Sequence, residues 1–330
     1  MRFGLRQILS LFELGRVELV LAMVGNIWLM TFIKQAELTQ PAVLDANLIT
    51  QLILVTLVAL GLAGTGMALN DVLDVRHDRA FAPNRPIPAG RVPIRIAIVA
   101  MVLSMICAMA ASVWLGKLNT VVTLLAIGGI MFYNLTGRFM PAVGIVSLGL
   151  ITSLMMLIPD PRPEYGWPVI LAMTHVMACS GIRHWLAGKR PRITTKDGFG
   201  ICMGWLFWTL VIVGILRPHD NQLATQEGYM LRLLSGPVLA LIVFGVIAMI
   251  MIARVEKSNM QTRRRVGKIF SRLSGLWLIV YSVSWLIGLG LWWQAGFVLG
   301  LLVVAILMIW LSRLSMMIRG EQPAYGLSDR

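Results

Sequence analysis

Acidic residues are scarce in this 330-residue chain: 15 Asp and Glu stand against 29 Lys and Arg, and charged residues of either sign make up only 13%. So little charge, combined with 58% hydrophobic residues and a mean hydropathy of +0.79, excludes an ordinary water-soluble domain. Too few polar groups are present to cover a soluble fold of this size. Cysteine is nearly absent as well. Cys107, Cys179 and Cys202 lie inside apolar runs with no CxxC or Cys/His spacing, which excludes a zinc site and a disulfide framework. No internal repeat of roughly 20 to 50 residues and no low-complexity tract occurs, so a repeat array is excluded. The first 17 residues carry Arg2, Arg6, Glu13 and Arg16 without a small-residue cleavage pattern, so no cleavable signal peptide is expected.

What the chain has instead is apolar runs of about 18 residues or more, each long enough to cross a bilayer as a helix. Reading these runs against their charged interruptions predicts about ten helices, near 17–34, 50–70, 94–115, 119–136, 140–159, 166–182, 199–216, 231–253, 273–290 and 294–312. The last pair also fits one long re-entrant hairpin. The expected fold class is all-α, a multi-spanning transmembrane helix bundle of about 9–10 helices. It forms one integral-membrane domain over residues 1–330, with 313–330 as a cytoplasmic tail. Trp167, Trp292, Trp293 and Trp310 fall near span ends, as interfacial belts do.

If the N-terminus is cytoplasmic, 24 of the 29 Lys and Arg fall on the cytoplasmic side and five (Lys34, Lys117, Arg162, Arg217 and Arg232) on the other. By the positive-inside rule both termini are therefore cytoplasmic, in what reads as a bacterial inner membrane. The net charge of +14 is accounted for by topology. The expected partner is the lipid bilayer and no nucleic acid is expected. The run Arg263–Arg265 is read as a cytoplasmic loop facing anionic lipid.

Against this scarcity of acids, Asp71, Asp74 and Asp78 gather a fifth of them at the border of the second span. Their i, i+3, i+7 spacing places all three on one helix face, and Asn70 joins the stripe four residues before Asp74. Like charges so placed repel, by a few tenths of a kcal/mol per pair. A hard divalent cation offsets this: Mg²⁺ takes one or two carboxylates, keeps several waters and completes its shell with phosphate oxygens. The following segment, RAFAPNRPIPAGRV, adds Arg79, Arg85 and Arg91 in a Pro/Gly-punctuated loop. Arginine forks suit phosphate oxygens. Together these residues describe a diphosphate site at the cytoplasmic mouth of a membrane bundle. The competing reading is a solvated helix end whose acids pair with the loop arginines.

NDVLDVRHD at 70–78 resembles the first aspartate-rich motif of the UbiA superfamily of intramembrane prenyltransferases, N-D-x-x-D-x-x-x-D. NRPIPAGRV at 84–92 resembles the family's R-P-[IL]-P-x-G segment, and YNLTGR at 133–138 is similar to its Tyr-x-x-x-x-Lys/Arg element. The likeness covers roughly residues 15–216, including the placing of the motif after the second helix. It implies that Asp71, Asp74 and Asp78 bind Mg²⁺ bridging to an isoprenyl diphosphate, assisted by Asn70. It further implies that Arg85 contacts the diphosphate, and that Tyr133 and Arg138 line the cavity near the scissile bond. The implied activity is Mg²⁺-dependent prenyl transfer to a small, aromatic or otherwise polar-headed acceptor, as in quinone or related lipid biosynthesis, with Asp71, Asp74, Tyr133 and Arg138 catalytic.

The family's second aspartate-rich motif follows the sixth helix. Here that region, residues 178–200, holds one acid, Asp197, among Arg183, His184, Lys189, Arg190, Arg192 and Lys196. Three readings stay open. The basic side chains, Arg183, His184 and Lys189 among them, hold the diphosphate in place of a second metal; or the substrate is held differently; or transfer is lost, leaving a lipid-binding or transport-associated protein. Glu18 and Asn26 share one side of the first span, and His175 in the sixth reads as a satisfied interhelical histidine. Asp160, Glu164, Asp220 and Glu227 read as solvated surface.

Overall fold

A computed structural model describes residues 17–38, 45–83, 85–216 and 229–318. Among these residues the chain is all-helical: α1 Val17–Leu38, α2 Ala46–Leu73, α3 Val75–Phe81, α4 Ile94–Leu115, α5 Lys117–Leu135, α6 Pro141–Leu157, α7 Trp167–Leu186, α8 Thr195–Ile215, α9 Tyr229–Val255, α10 Met260–Gly288 and α11 Trp292–Ile318, with one 3-10 turn at Gly137–Phe139. Ten of these coincide with the ten expected spans; the short α3 is the addition. Eight are long and apolar enough to cross a membrane by length and composition. The protein is an integral, multi-pass membrane protein.

Two boundaries differ from expectation. The basic stretch 254–272 is not a loop: only residues 256–259 separate α9 from α10, and Arg263, Arg264, Arg265, Lys268 and Arg272 lie on helix. Arg and Lys are strong helix formers, and Asn259 caps the helix by accepting from the Thr262 amide at 2.9 Å. At 1.5 Å per residue α10 is about 43 Å long, against a hydrocarbon core of about 30 Å. The helical pair α10–α11 also resolves the hairpin alternative, since each partner is long enough to span alone. At the other boundary, α11 runs to Ile318, into the stretch expected as a tail; residues 319–330 lie outside the described residues.

Two helices form a shared spine. α1 places Leu29, Phe32 and Ile33 in one apolar cluster with α7, α10 and α11, and Val24 and Ile27 in a second with α2, α4 and α5. α6 divides its side chains between the same two clusters. Lipid tails are as apolar as these side chains, so burial alone does not hold helices together in a membrane; close backbone approach does. α2 and α4 show it: a Cβ on Gly61 would fall 2.5 Å from the Ser104 carbonyl oxygen and 2.8 Å from the Ala108 Cβ.

Several buried polar groups are paired across helices. His175 Nε2 donates to the Ser274 carbonyl at 3.0 Å, so its Nδ1 accepts from the Tyr281 hydroxyl at 3.3 Å. It is the satisfied interhelical histidine its sequence context suggests. Ser282 donates to Asn26 Oδ1 at 2.8 Å, while the side chain of Glu18 lies outside the described residues. Asp160 is buried and accepts from the Arg162 amide, which corrects its reading as solvated surface: the tight turn after α6 folds over it. Glu164 is half-buried, and Asp220 and Glu227 lie outside the described residues. Alternation of the spans brings the segments after α2, α5, α7 and α9 to one end of the bundle, the aspartates and the basic segments among them.

Candidate functional site

The site begins where α2 ends. Asp74 caps α2 with φ −86° and ψ −1°, and helical backbone bonds continue across it: Asp74 N–H to Asn70 O at 2.9 Å and Asp78 N–H to Asp74 O at 2.7 Å. The chain therefore passes through Asp74 from α2 into α3 with its helical hydrogen bonding continued. Val75 on α3, Ile87 and Val92 on the following segment and Ala97 on α4 form a small apolar cluster that fixes α3 and residues 85–93 as one unit. Gly90 takes φ +72° in that segment, a left-handed conformation that glycine adopts without steric cost.

Opposite lies the 3-10 turn joining α5 to α6. Gly144 backs against it so closely that a Cβ there would meet the Gly137 carbonyl oxygen at 2.9 Å. This approach delivers Arg138. Its Nη1 donates to Asp74 Oδ1 at 2.8 Å and to Asn70 Oδ1 at 3.2 Å, and its guanidinium lies 5.0 Å from the Phe139 ring centroid. The Nε of Arg138 is buried and has no acceptor among the described residues. On the other side Arg85 Nη1 donates to Asp78 Oδ2 at 2.6 Å, with the Asp78 side chain 6% exposed.

The expected site residues fare differently. Asn70, Asp74 and Arg138 are brought together, and so are Asp78 and Arg85. Among the described residues no three His, Cys, Asp or Glu side chains are gathered as they stand within reach of one metal ion. Asp74 is paired with Arg138 and Asp78 with Arg85. Asp71 is half-buried on the last turn of α2. Tyr133 is half-buried on α5 and packs on the apolar cluster shared by α1, α2 and α4. Arg79 is exposed in the last turn of α3.

After α7, His184 among the expected phosphate ligands makes a local contact. His184 Nε2 donates to the Pro191 carbonyl at 2.9 Å, Arg183 is half-buried in the last turn of α7, and Lys189 is exposed. Asp197 closes a capping box with Thr194 at the start of α8. The Thr-x-x-Asp spacing of that box was readable in the sequence. What was not readable is the contact of Arg138 with Asp74, between residues 64 positions apart.

The donor chemistry at this end fits a hard metal ion. Asp71, Asp74 and Asn70 offer hard oxygen donors and no sulfur or imidazole, which suits Mg²⁺ held by one or two carboxylates with its shell finished by substrate oxygens.

Fold and site together define a polytopic helical membrane protein with a carboxylate–guanidinium centre at one end. The chain belongs to the UbiA prenyltransferase family, whose match runs over residues 27–271. A digeranylgeranylglyceryl phosphate synthase of Pyrococcus abyssi is 32% identical over 88 residues, 27% of this chain and 32% of that protein. A protein of the same name from Sulfurisphaera tokodaii is 26% identical over 143 residues, 43% of this chain and 49% of that protein. The chain thus spans between a third and a half of the length of these curated relatives. A solved structure of a digeranylgeranylglyceryl phosphate synthase in membranes superposes with a TM-score of 0.57 at 16% identity, over 86% of this chain and 99% of that one; it shares the fold.

Proposed function

We propose that this protein is a Mg²⁺-dependent intramembrane prenyltransferase, with an isoprenyl diphosphate as donor and a small polar-headed acceptor, aromatic in the reading from sequence. The observation that carries this is the state of Arg138. Its Nη1 is engaged by Asp74 and Asn70 while its Nε, buried, has no acceptor among the described residues. A buried donor lacking a partner calls for an anion, whereas the adjacent carboxylates repel one. A cation and a polyanion arriving together satisfy both, and a metal diphosphate is that pair.

In this reading Asp71 and Asp74 hold Mg²⁺, with Asn70 beside them, and the ion supplies positive charge against the departing diphosphate. Arg138 donates from Nε to a phosphate oxygen and keeps Asp74 in position. Arg85, held by Asp78, keeps the segment 85–93 closed over that end. The bond between the prenyl C1 and the bridging oxygen breaks with both electrons leaving on pyrophosphate. The acceptor gives an electron pair to C1, and its proton passes to the released pyrophosphate or to water. Stabilising that leaving charge in a site shielded from water is the main catalytic effect. The site faces the cytoplasm, in line with the charge bias of the segments at that end.

A second reading, a non-catalytic binder or carrier of a lipid diphosphate, draws on one observation: Asp197 is engaged in its capping box, and 178–200 contains no other acid. The two are separated by supplying membranes with labelled polyprenyl diphosphate, Mg²⁺ and candidate acceptors. The transferase releases pyrophosphate in step with a defined acceptor and stops when Mg²⁺ is chelated. Asp71→Ala and Asp74→Ala lose the product signal, and Arg138→Gln slows it about 10- to 100-fold, the equivalent of one charge-assisted hydrogen bond. Full turnover by both aspartate variants would overturn the metal assignment. Mg²⁺-dependent binding without pyrophosphate release selects the second reading.

A further inference from the structure

A second concentration of charge lies at the same end, where α7, α9 and α10 meet. Residues 183–197 and 254–272 together hold twelve Lys and Arg against two acids, Asp197 and Glu256, and Asp197 is taken up by the cap of α8. Topology accounts for basic residues at this end of the molecule. It does not account for how two of them are held. The guanidinium of Arg263 stacks on Trp185, 4.2 Å from the ring centroid, and its Nη2 donates to the Trp185 carbonyl at 3.4 Å. The neighbouring Arg264 donates from Nε to the Ala187 carbonyl at 3.4 Å. Both arginines thus sit on the C-terminal end of α7, where carbonyls and helix dipole favour cations. Gly267 makes the approach possible, for a Cβ there would press on the Leu186 Cβ at 3.1 Å. Yet the Nε of Arg263 is buried with no acceptor among the described residues. A fixed, crowded cationic pair with an unmet donor is built for an anion.

The surroundings indicate what bears that anion. Arg264, Lys268 and Arg272 are exposed at i, i+4 and i+8, a strip running down α10 toward the membrane. Beside it Trp185 is 42% exposed. The Phe244 and Phe270 rings are 5.9 Å apart, which sets α9 and α10 in register. From that level toward the same end α9 exposes Val246, Met249 and Ile250, side chains suited to hydrocarbon. Cations therefore border a lipid-facing apolar wall, so the complementary molecule carries a phosphate and acyl chains.

We propose that Arg263 and Arg264, at the junction of α7 with α9 and α10, form a binding site for the phosphate headgroup of an anionic membrane phospholipid, whose acyl chains lie along α9. This site is separate from the Asp74–Arg138 centre and is tested without prenyl substrate. The full chain is purified in detergent and titrated with phosphatidylglycerol, phosphatidylcholine or inorganic phosphate, with thermal melting and native mass spectrometry as readouts. Phosphatidylglycerol is expected to raise the melting temperature by several degrees and to be retained as a discrete adduct. The double variant Arg263→Gln/Arg264→Gln is expected to bind it at least tenfold more weakly, while Arg95→Gln, an exposed cation at the same end, binds as the parent does. Arg264→Gln alone, weaker by a few fold, serves if the double variant does not fold. Equal stabilisation by phosphatidylcholine overturns the site, as does parent-like binding by the arginine variants. The same shift from inorganic phosphate alone overturns the lipid assignment.

Discussion

Asp74 and Asp78 are both held by arginine, at 2.8 and 2.6 Å, but their surroundings set them apart. The Asp78 side chain is 6% exposed and that of Asp74 is 24% exposed. A carboxylate so deeply covered has its lone pairs committed; one left partly open can still meet a ligand. Asp78 with Arg85 is accordingly a positioning pair for the segment 85–93. Asp78→Ala strands the Arg85 guanidinium. Breaking a fully buried pair costs about 3–5 kcal/mol, and Arg85, 20% exposed, places this case at or below the lower end. Limited proteolysis is expected to cut within 85–93 far faster in Asp78→Ala than in the parent, with Asp78→Ala/Arg85→Ala intermediate. Equal cutting in parent and single variant contradicts the positioning role. Sequence alone placed the three aspartates on a common stripe; that Asp74 meets Arg138 while Asp78 meets Arg85 no spacing rule anticipates.

Among the elements, the contact of α2 with α4 and that of α10 with α7 matter most. The first aligns Asn70 and Asp71 through the helix that carries them. A Cβ at Gly61 would meet backbone, the Ser104 carbonyl at 2.5 Å, which cannot rotate aside as a side chain can. Gly61→Val is therefore expected to force the helices apart, seen as a melting temperature lower by at least 5 °C in detergent or as lost folded yield. Gly128→Ala, with nothing within 4 Å of its Cβ, is neutral or stabilising by up to about 1 kcal/mol. Equal melting of the two variants discards the close-approach argument. The ten long helices were legible because apolar run length is a local property. The start of α10 was not: a hydropathy reading ends a span at its charges, while a helix continues through Arg and Lys wherever its cap and propensity allow.

For the molecule as a whole, orientation is the property that the proposed function needs, since in that reading donor and acceptor must reach the end bearing the aspartates. Sidedness is read by placing single cysteines at Arg192 and Glu164 after replacing Cys107, Cys179 and Cys202. A membrane-impermeant maleimide is expected to label the position-164 cysteine in intact spheroplasts and the position-192 cysteine only in inverted vesicles. The reverse pattern inverts the proposed topology. By itself the sequence determined the membrane class, the number of long helices and the end at which acids and basic segments collect, because each depends on composition over one or two turns or one span. It also held the motif on which the family resemblance rests. Only the tertiary structure decided which charges meet. The joining of Arg138 to Asp74, the withdrawal of Asp78 by Arg85 and the seating of Arg263 on Trp185 depend on side chains a few ångströms apart, from segments that packing alone brings together.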